Sequence, residues 1–397
     1  MVTGIGVVSA LGGDRDAFWS ALAAGRAGLE PITAVDISGL AFDRGGEARD
    51  FRPEDQLDGE LLHLADRFAQ LTVVAAREAV ADSGLGPEDL GGARCGVVTG
   101  SCVGGQSSED QAFVRLYRDG RSRVHPLSVP RIMANAGASL VSMDLGIQGP
   151  GFTLSTACSS ANHALGQALW MIRAGVVDRA LAGGGEAPFS YGNLVAWNAM
   201  RVVSSDTCRP FSADRSGMIL GEGAAMLVLE EEASARARGA RIYAELAGCG
   251  MSSDAHHIIQ PSENGPRLAM SAALADAGLE PAQVGYINAH GTGTQANDAT
   301  ETAAIRAVFG AQAERLAVSS TKSMHGHALG AAGALEAAAT VLAIHQGLLP
   351  PTANFTTADP ACDLDVVPNN ARPAAVEAAL SSSFAFGGLN AVLAFKA

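Results

Sequence analysis

No stretch of about 18 uninterrupted apolar residues, the length a membrane-spanning helix needs, occurs in the chain. Nor is there a run of like charges or a Pro/Ser-rich linker of the kind that separates independent domains. Charged residues are few, 17% of 397, and 27 Lys and Arg against 41 Asp and Glu leave a formal charge of −14. Nucleic acids and anionic membrane surfaces demand clustered cations, so neither is expected as a partner. The start, Met1 to Leu11, is apolar but lacks a cationic n-region and runs into Gly12-Gly13-Asp14, which makes a poor secretory signal. A cytoplasmic location is the expectation. The six cysteines (Cys95, Cys102, Cys158, Cys208, Cys249, Cys362) include no C-x-x-C pair. Reduced thiols, with no disulfide framework and no metal site, follow from that spacing.

What the chain does have is apolar residues, 48% of the total, enough to bury a large core. Short β-rich runs ending in glycine (Val2 to Val8, Cys95 to Thr99, Arg179 to Gly183, Val284 to Asn288) alternate with Ala-rich helical stretches, the pattern of an α/β protein with buried strands. An internal repeat is legible as well. Ala79-Val80-Ala81-Asp82-Ser83-Gly84-Leu85, followed by the strand at Cys95, recurs as Ala273-Leu274-Ala275-Asp276-Ala277-Gly278-Leu279, followed by the strand at Val284. His163-Ala164-Leu165-Gly166 is echoed by His327-Ala328-Leu329-Gly330, and Gly-rich hairpins are expected at Met218 to Glu230 and at Ser381 to Phe395. The reading is a duplicated α/β unit, residues 1–240 and 241–397, packed as one body. Ala182-Gly183-Gly184-Gly185-Glu186 lacks the lysine or spacing of a phosphate loop and reads as close strand packing.

The chemistry is expected where strands meet helices. Cys158 lies between a strand (Gly151 to Ser155) and a helix (Ser159 to Ala174), so the helix N-terminus is expected to favour its thiolate. Asn288-Ala289-His290-Gly291-Thr292-Gly293-Thr294 follows a strand with the Gly and hydroxyl content of a ligand-approaching loop. Lys322-Ser323-Met324-His325-Gly326-His327 enters a helix in the same way. One Cys with two His at corresponding strand ends is a nucleophile-plus-base arrangement.

These segments resemble those of the elongating ketosynthases of fatty-acid and polyketide synthesis, in the thiolase superfamily. The resemblance runs from Val2-Thr3-Gly4-Ile5-Gly6, through Arg209-Pro210-Phe211 and Gly221-Glu222-Gly223, to Phe384-Ala385-Phe386-Gly387-Gly388. It implies a thiolase-like fold whose duplicated halves form a layered α-β-α-β-α body. It also implies decarboxylative condensation of an acyl thioester on Cys158 with a malonyl-[acyl carrier protein], giving a 3-oxoacyl-[acyl carrier protein]. His290 and His327 would stabilise the enolate, and the N–H groups of Cys158 and Phe386 would form the oxyanion hole, with Phe386 also the gate of the acyl pocket. Lys322 would order the site by pairing with Glu301, supported by Glu336. Thr292 and Thr294 match pantetheine-contacting positions, and Val103 and Ser128 match acyl-pocket positions. His325 has no assigned role.

The resemblance implies no cofactor beyond the carrier's own phosphopantetheine arm. The partners it implies are an acyl carrier protein and a second ketosynthase subunit, either an identical copy or a homologue of the chain-length-factor kind, met in part through Arg123 to Met133. Two departures stand out. Ala385 replaces the usual first Gly of the Phe386 loop, and the helix near residues 60 to 68, often basic for carrier docking, reads Glu60, His63, Leu64, Asp66 and Arg67. Arg201 and Arg209 are then the docking candidates, because the carrier is acidic. An acyltransferase or hydrolase that loads Cys158 without condensing, and a chain-length factor without activity, are the competing readings; retention of the histidines and of Cys158 speaks against them.

Overall fold

The computed structural model describes residues 1–397. Ten strands form two five-stranded sheets. The first uses β1 (Val2–Ser9), β2 (Cys95–Gly100), β3 (Gly151–Leu154), β4 (Arg179–Glu186) and β5 (Gly223–Glu230), in the order β1-β5-β4-β2-β3. The second uses β6 (Glu245–Ser253), β7 (Val284–Asn288), β8 (Ala317–Ser319), β9 (Ala378–Phe384) and β10 (Leu389–Lys396), in the order β6-β10-β9-β7-β8. Each strand of the second sheet therefore takes the place of the one five earlier. The pairing directions repeat too: two antiparallel junctions, then two parallel ones.

Seven helices complete the layers: α1 (Arg67–Ser83), α2 (Ala136–Leu145), α3 (Ser160–Arg173), α4 (Tyr191–Met200), α5 (Asn264–Ala277), α6 (Gln295–Phe309) and α7 (Ala332–Gln346). Helices α1 and α2 cover the outside of the first sheet, α5 and α6 the outside of the second, and α3 and α7 lie side by side between them. This is the expected α-β-α-β-α order. A helix sandwiched between two sheets must be apolar all round, and in α7 every residue from Ala332 to Ile344 is buried. Its many alanines let both sheets approach closely. Glycines do the same within the first sheet: a Cβ at Gly183 would lie 2.0 Å from the Ala225 carbonyl, and one at Gly185 2.0 Å from Thr72 Oγ1. The strand-packing reading of that Gly-rich segment holds.

The first repeat match marks equivalent places, since α1 and α5 both end at a left-handed glycine, Gly84 and Gly278, before β2 and β7. Three expectations are corrected. His163 lies inside α3 whereas His327 precedes α7, so that echo is out of phase and reflects Ala/Gly-rich composition. Met218 to Glu230 is no hairpin: Gly223–Glu230 is the single strand β5, inserted between β1 and β4, and only the second half ends in a true hairpin, β9–β10. The helix near 60 to 68 is broken, because Asp66 caps α1 after a separate short helix at Gly59–Leu64. No helix is long and apolar enough to cross a membrane.

Candidate active site

Cys158 stands on the turn from β3 to α3, two residues before the helix begins. The preceding Ala157 has φ +52°, a conformation that side chains with a Cβ rarely adopt. That turn is held from inside: the Thr156 N–H donates to Ser160 Oγ at 2.9 Å, and Ser160 Oγ donates to the Ala157 carbonyl at 2.6 Å. Ser159 ties it to the other half by donating to the Leu389 carbonyl at 2.8 Å, just beyond the Phe386 loop. The backbone N–H groups of Phe386 and of Cys158 itself favour the charged form of the thiol.

The expected low-pKa thiolate is not what this arrangement produces. Burial pushes the Cys158 thiol up to about 11, against the opposing pull of the Lys322 charge and the two N–H groups. The helix end is real, but the cost of desolvating an anion outweighs it here.

His290 follows β7 and is placed through its backbone. Its N–H and that of Gly291 donate to the two oxygens of Glu301 on α6, at 2.8 and 2.7 Å. His327 lies in the turn before α7, where the Leu329 N–H donates to its Nδ1 at 3.2 Å. With Nδ1 accepting, the proton of a neutral His327 is on Nε2. The two imidazoles meet edge to face with centroids 5.4 Å apart. Both are held well below the usual histidine range, first by burial, then by Lys322 and by a neighbouring histidine. They are neutral donors at neutral pH.

Lys322, one of only two lysines in the chain, is fully buried and pairs with Glu336 on α7. Its expected partner, Glu301, instead holds the His290 loop; this corrects the sequence reading. Both carboxylates are pushed up to about 7 by burial. His325 has both ring nitrogens engaged, Nδ1 with the Gly326 carbonyl at 2.7 Å and Nε2 with Thr321 Oγ1 at 3.0 Å, so it braces the loop and faces no substrate space.

Cys158, His290 and His327 line one cavity of about 130 Å³, with Thr292, Thr294, Phe384 and Phe386. Thr292 and Thr294 share a hydroxyl contact at 2.9 Å, and Thr294 also caps α6. No cluster of His, Cys, Asp or Glu is arranged to hold a metal ion.

Set beside known proteins, residues 1–235 match the family described as beta-ketoacyl synthase, N-terminal domain, and residues 243–356 its C-terminal domain. The chain belongs to the β-ketoacyl synthase family. Nodulation protein E of Rhizobium sp. (strain N33) is 48% identical, over 100% of this chain and 98% of that protein. The 3-oxoacyl-[acyl-carrier-protein] synthase 2 of Staphylococcus aureus (strain N315) is 42% identical, over 100% and 97%. Among solved structures, the ishigamide ketosynthase/chain length factor superposes with a TM-score of 0.96 at 39% identity, covering 100% of this chain and 98% of that one. A ketosynthase is an acyltransferase that joins acyl units by Claisen condensation in fatty-acid or polyketide synthesis, and the fold described above is the thiolase-like fold of this family.

The remaining ketosynthase expectations lie outside the cavity. Val103 is half-buried, with its N–H directed at Glu186 Oε1 at 3.3 Å. Ser128 begins a short helix and lines a separate polar cleft with Gln111, Arg115, His125 and Arg131. Within one chain neither residue lines the cavity around Cys158. Arg209 is engaged by Asp206 at 2.9 Å and Asp214 at 3.6 Å, whereas Arg201 is exposed and has no acidic partner.

Two contributors escaped the sequence reading. Trp197 on α4 stacks on Phe386, with centroids 6.1 Å apart and planes 25° from parallel. The loop carrying His257 and Ile258 lines the same cavity, and the Ile258 carbonyl accepts the Gly387 N–H at 2.8 Å. Its only signal in sequence was an apolar Ile-Ile pair in an otherwise polar stretch. Ala385 is unstrained; the left-handed residues of the Phe386 loop are Gly387 and Gly388.

Proposed function

We propose that Cys158 carries the growing acyl chain and that His290 and His327 stabilise the enolate formed from a malonyl thioester. The observation that carries this reading is the convergence of one thiol, two neutral imidazoles and two backbone N–H groups on a single buried cavity. In the first step the Cys158 sulfur attacks the thioester carbonyl of an acyl-[acyl carrier protein]. The oxyanion is met by the Cys158 and Phe386 N–H groups, and the departing pantetheine thiolate takes up the proton that Cys158 loses. In the second step a malonyl thioester loses carbon dioxide, and the electron pair left behind forms an enolate whose oxygen accepts N–H bonds from the two histidines. The enolate carbon then attacks the acyl carbonyl, and Cys158 departs as a thiolate that regains a proton from solvent. Lys322 and Glu336 hold the charge pattern around the histidines, and Glu301 holds the His290 loop. The chain needs no resident cofactor for these steps.

The acyl carrier protein is the partner implied by the name of the Staphylococcus aureus relative. Arg201 supplies an unpaired charge for docking it, with Thr292 and Thr294 along the pantetheine path. A second subunit, an identical copy or a homologue as in the ishigamide ketosynthase/chain length factor, is proposed to cover the face bearing exposed Phe113, Tyr117, Val129 and Met133. Such cover would bring the Ser128 segment toward a neighbour's acyl pocket, with Val103 on the home side. The halves 1–240 and 241–397 act as duplicated units of one cytoplasmic enzyme.

The test separates loading from condensation. His290→Ala and His327→Ala should still transfer acyl groups to Cys158, as read by intact-protein mass spectrometry, while malonyl decarboxylation falls by roughly 10²-fold or more. Condensation at the wild-type rate by either variant would remove that histidine from the mechanism.

A further inference from the structure

Glu186 takes no part in the steps above, yet it is a wholly buried carboxylate at the end of β4 with no cationic partner. Burial alone pushes its pKa up, and hydrogen bonds oppose that shift. Its Oε1 accepts from Ser101 Oγ at 2.9 Å and is approached by the Val103 N–H at 3.3 Å. Its Oε2 accepts from the Cys102 N–H at 2.7 Å and from the Gly330 N–H at 3.0 Å. Four donors from two distant segments converge on one carboxylate, as the ionised form requires.

The second segment is the consequential one. Leu329, between His327 and Gly330, has φ +45°, a strained conformation for a residue of its bulk. It is also the residue whose N–H occupies His327 Nδ1. A strained residue persists only where its neighbours are tied down, and the Gly330 N–H is tied to Glu186. Close approach is built in as well: a Cβ at Gly330 would lie 2.5 Å from both Glu186 Oε2 and the Cys102 nitrogen.

We propose that Glu186 is a positioning residue that fixes the tautomer and orientation of His327, by clamping Gly330 so that Leu329 keeps its N–H on Nδ1. The same carboxylate joins that turn to the 101–103 segment, so the segment that carries Val103 and the His327 turn move as one piece. The inference rests on the proposed role of His327 as an Nε2–H donor.

Three variants test it. In Glu186→Gln the side-chain carbonyl can keep the Cys102 and Gly330 donors while its NH₂ donates to a rotated Ser101 hydroxyl, so malonyl decarboxylation stays within about threefold of wild type. In Glu186→Leu the Cys102, Val103 and Gly330 N–H groups all lose their partner. Decarboxylation then falls on the order of 10²-fold, the scale of losing one oxyanion donor, while alkylation of Cys158 by iodoacetamide stays within about twofold. Gly330→Ala displaces the carboxylate and acts in the same direction, and it decides the matter if the Leu variant is insoluble. Ring ¹⁵N NMR should show His327 as the Nε2–H tautomer in wild type and in Glu186→Gln, and as a mixture in the other two. Wild-type decarboxylation with an unchanged His327 spectrum in Glu186→Leu or Gly330→Ala would overturn the proposal. His327→Ala run in parallel keeps the two readings apart: if it retains full activity the role of His327 itself fails, and if it alone is impaired only the role of Glu186 fails.

Discussion

Lys322 and Glu336 form an ion pair in which neither side chain has any exposed surface. The pair bridges the loop before His327 and helix α7, and its cation lies close enough to His290 and His327 to depress both. Removing one partner strands a buried charge. Lys322→Met or Glu336→Gln should therefore cost on the order of 3–5 kcal/mol in urea unfolding, and the double replacement Lys322→Met with Glu336→Leu should recover much of it. Loss of the Lys322 charge also lets both imidazoles protonate more easily. The acid limb of the decarboxylation profile should move to higher pH in Lys322→Met, and an unmoved limb would mean that the lysine acts only through structure.

The raised thiol of Cys158 makes a kinetic prediction. A thiol held at about 11 has a small thiolate fraction at neutral pH, so alkylation by iodoacetamide should keep accelerating about tenfold per unit from pH 7 to 10. Cys95, Cys208 and Cys249 are pushed up to about 12, and Cys362 to about 11, and none of these lines the cavity. Cys158 should be labelled first, as located by peptide mapping. A plateau already reached at pH 7 would restore the helix-dipole expectation.

His325 is held down to about 3, chiefly by burial, from an ordinary value of 6.5. Below pH 6.5 the unfolded chain protonates this histidine while the folded chain keeps it neutral. The unfolded state then binds more protons, and stability drops as pH falls from 6.5 toward 3. Glu78, Glu301 and Glu336, raised to about 7 from 4.5, act in the opposite sense between those values, so the comparison must be made within one pair of proteins. Relative to His325→Gln, wild type should lose about 1.4 kcal/mol more per pH unit between pH 6 and 4, measured by urea unfolding. Parallel stability curves would show that His325 titrates normally.

The stack of Trp197 on Phe386 offers an optical readout of the gating role expected of Phe386. If acylation of Cys158 moves Phe386, the Trp197 emission should change on loading, and Trp197→Phe should abolish that change although Trp19 and Trp170 remain. An aromatic pair is worth about 0.5–1.5 kcal/mol, so if Phe386 gates the pocket, Trp197→Ala should release it and load acyl groups about two- to tenfold faster. Emission indifferent to acylation would show that Phe386 stays against Trp197.

Much of the architecture was legible because it is local. Alternation of apolar strands with Ala-rich helices placed β1, β2, β4 and β7, and the glycine-stopped helices Ala79–Gly84 and Ala273–Gly278 marked the duplication correctly. The Met218–Glu230 hairpin failed because glycine content does not say whether a chain turns back or runs straight between two distant strands. The Lys322 partner failed for a similar reason. Glu301 and Glu336 sit on helices at different depths, α6 outside the second sheet and α7 between the two, and only packing selects the one that faces the ammonium.

The sequence by itself determined where the reactive groups stand along the chain: Cys158 at a strand-to-helix turn, His290 just past a strand, His327 ahead of a helix. Those placements follow from backbone preferences over a few residues. The tertiary structure alone decided their chemical state. The thiol rises and the imidazoles stay neutral because desolvation depends on residues far apart in sequence that meet only when both halves are packed around α3 and α7, and the local Leu329 contact that places the His327 proton on Nε2 sits in a turn tied to Glu186 of the other half.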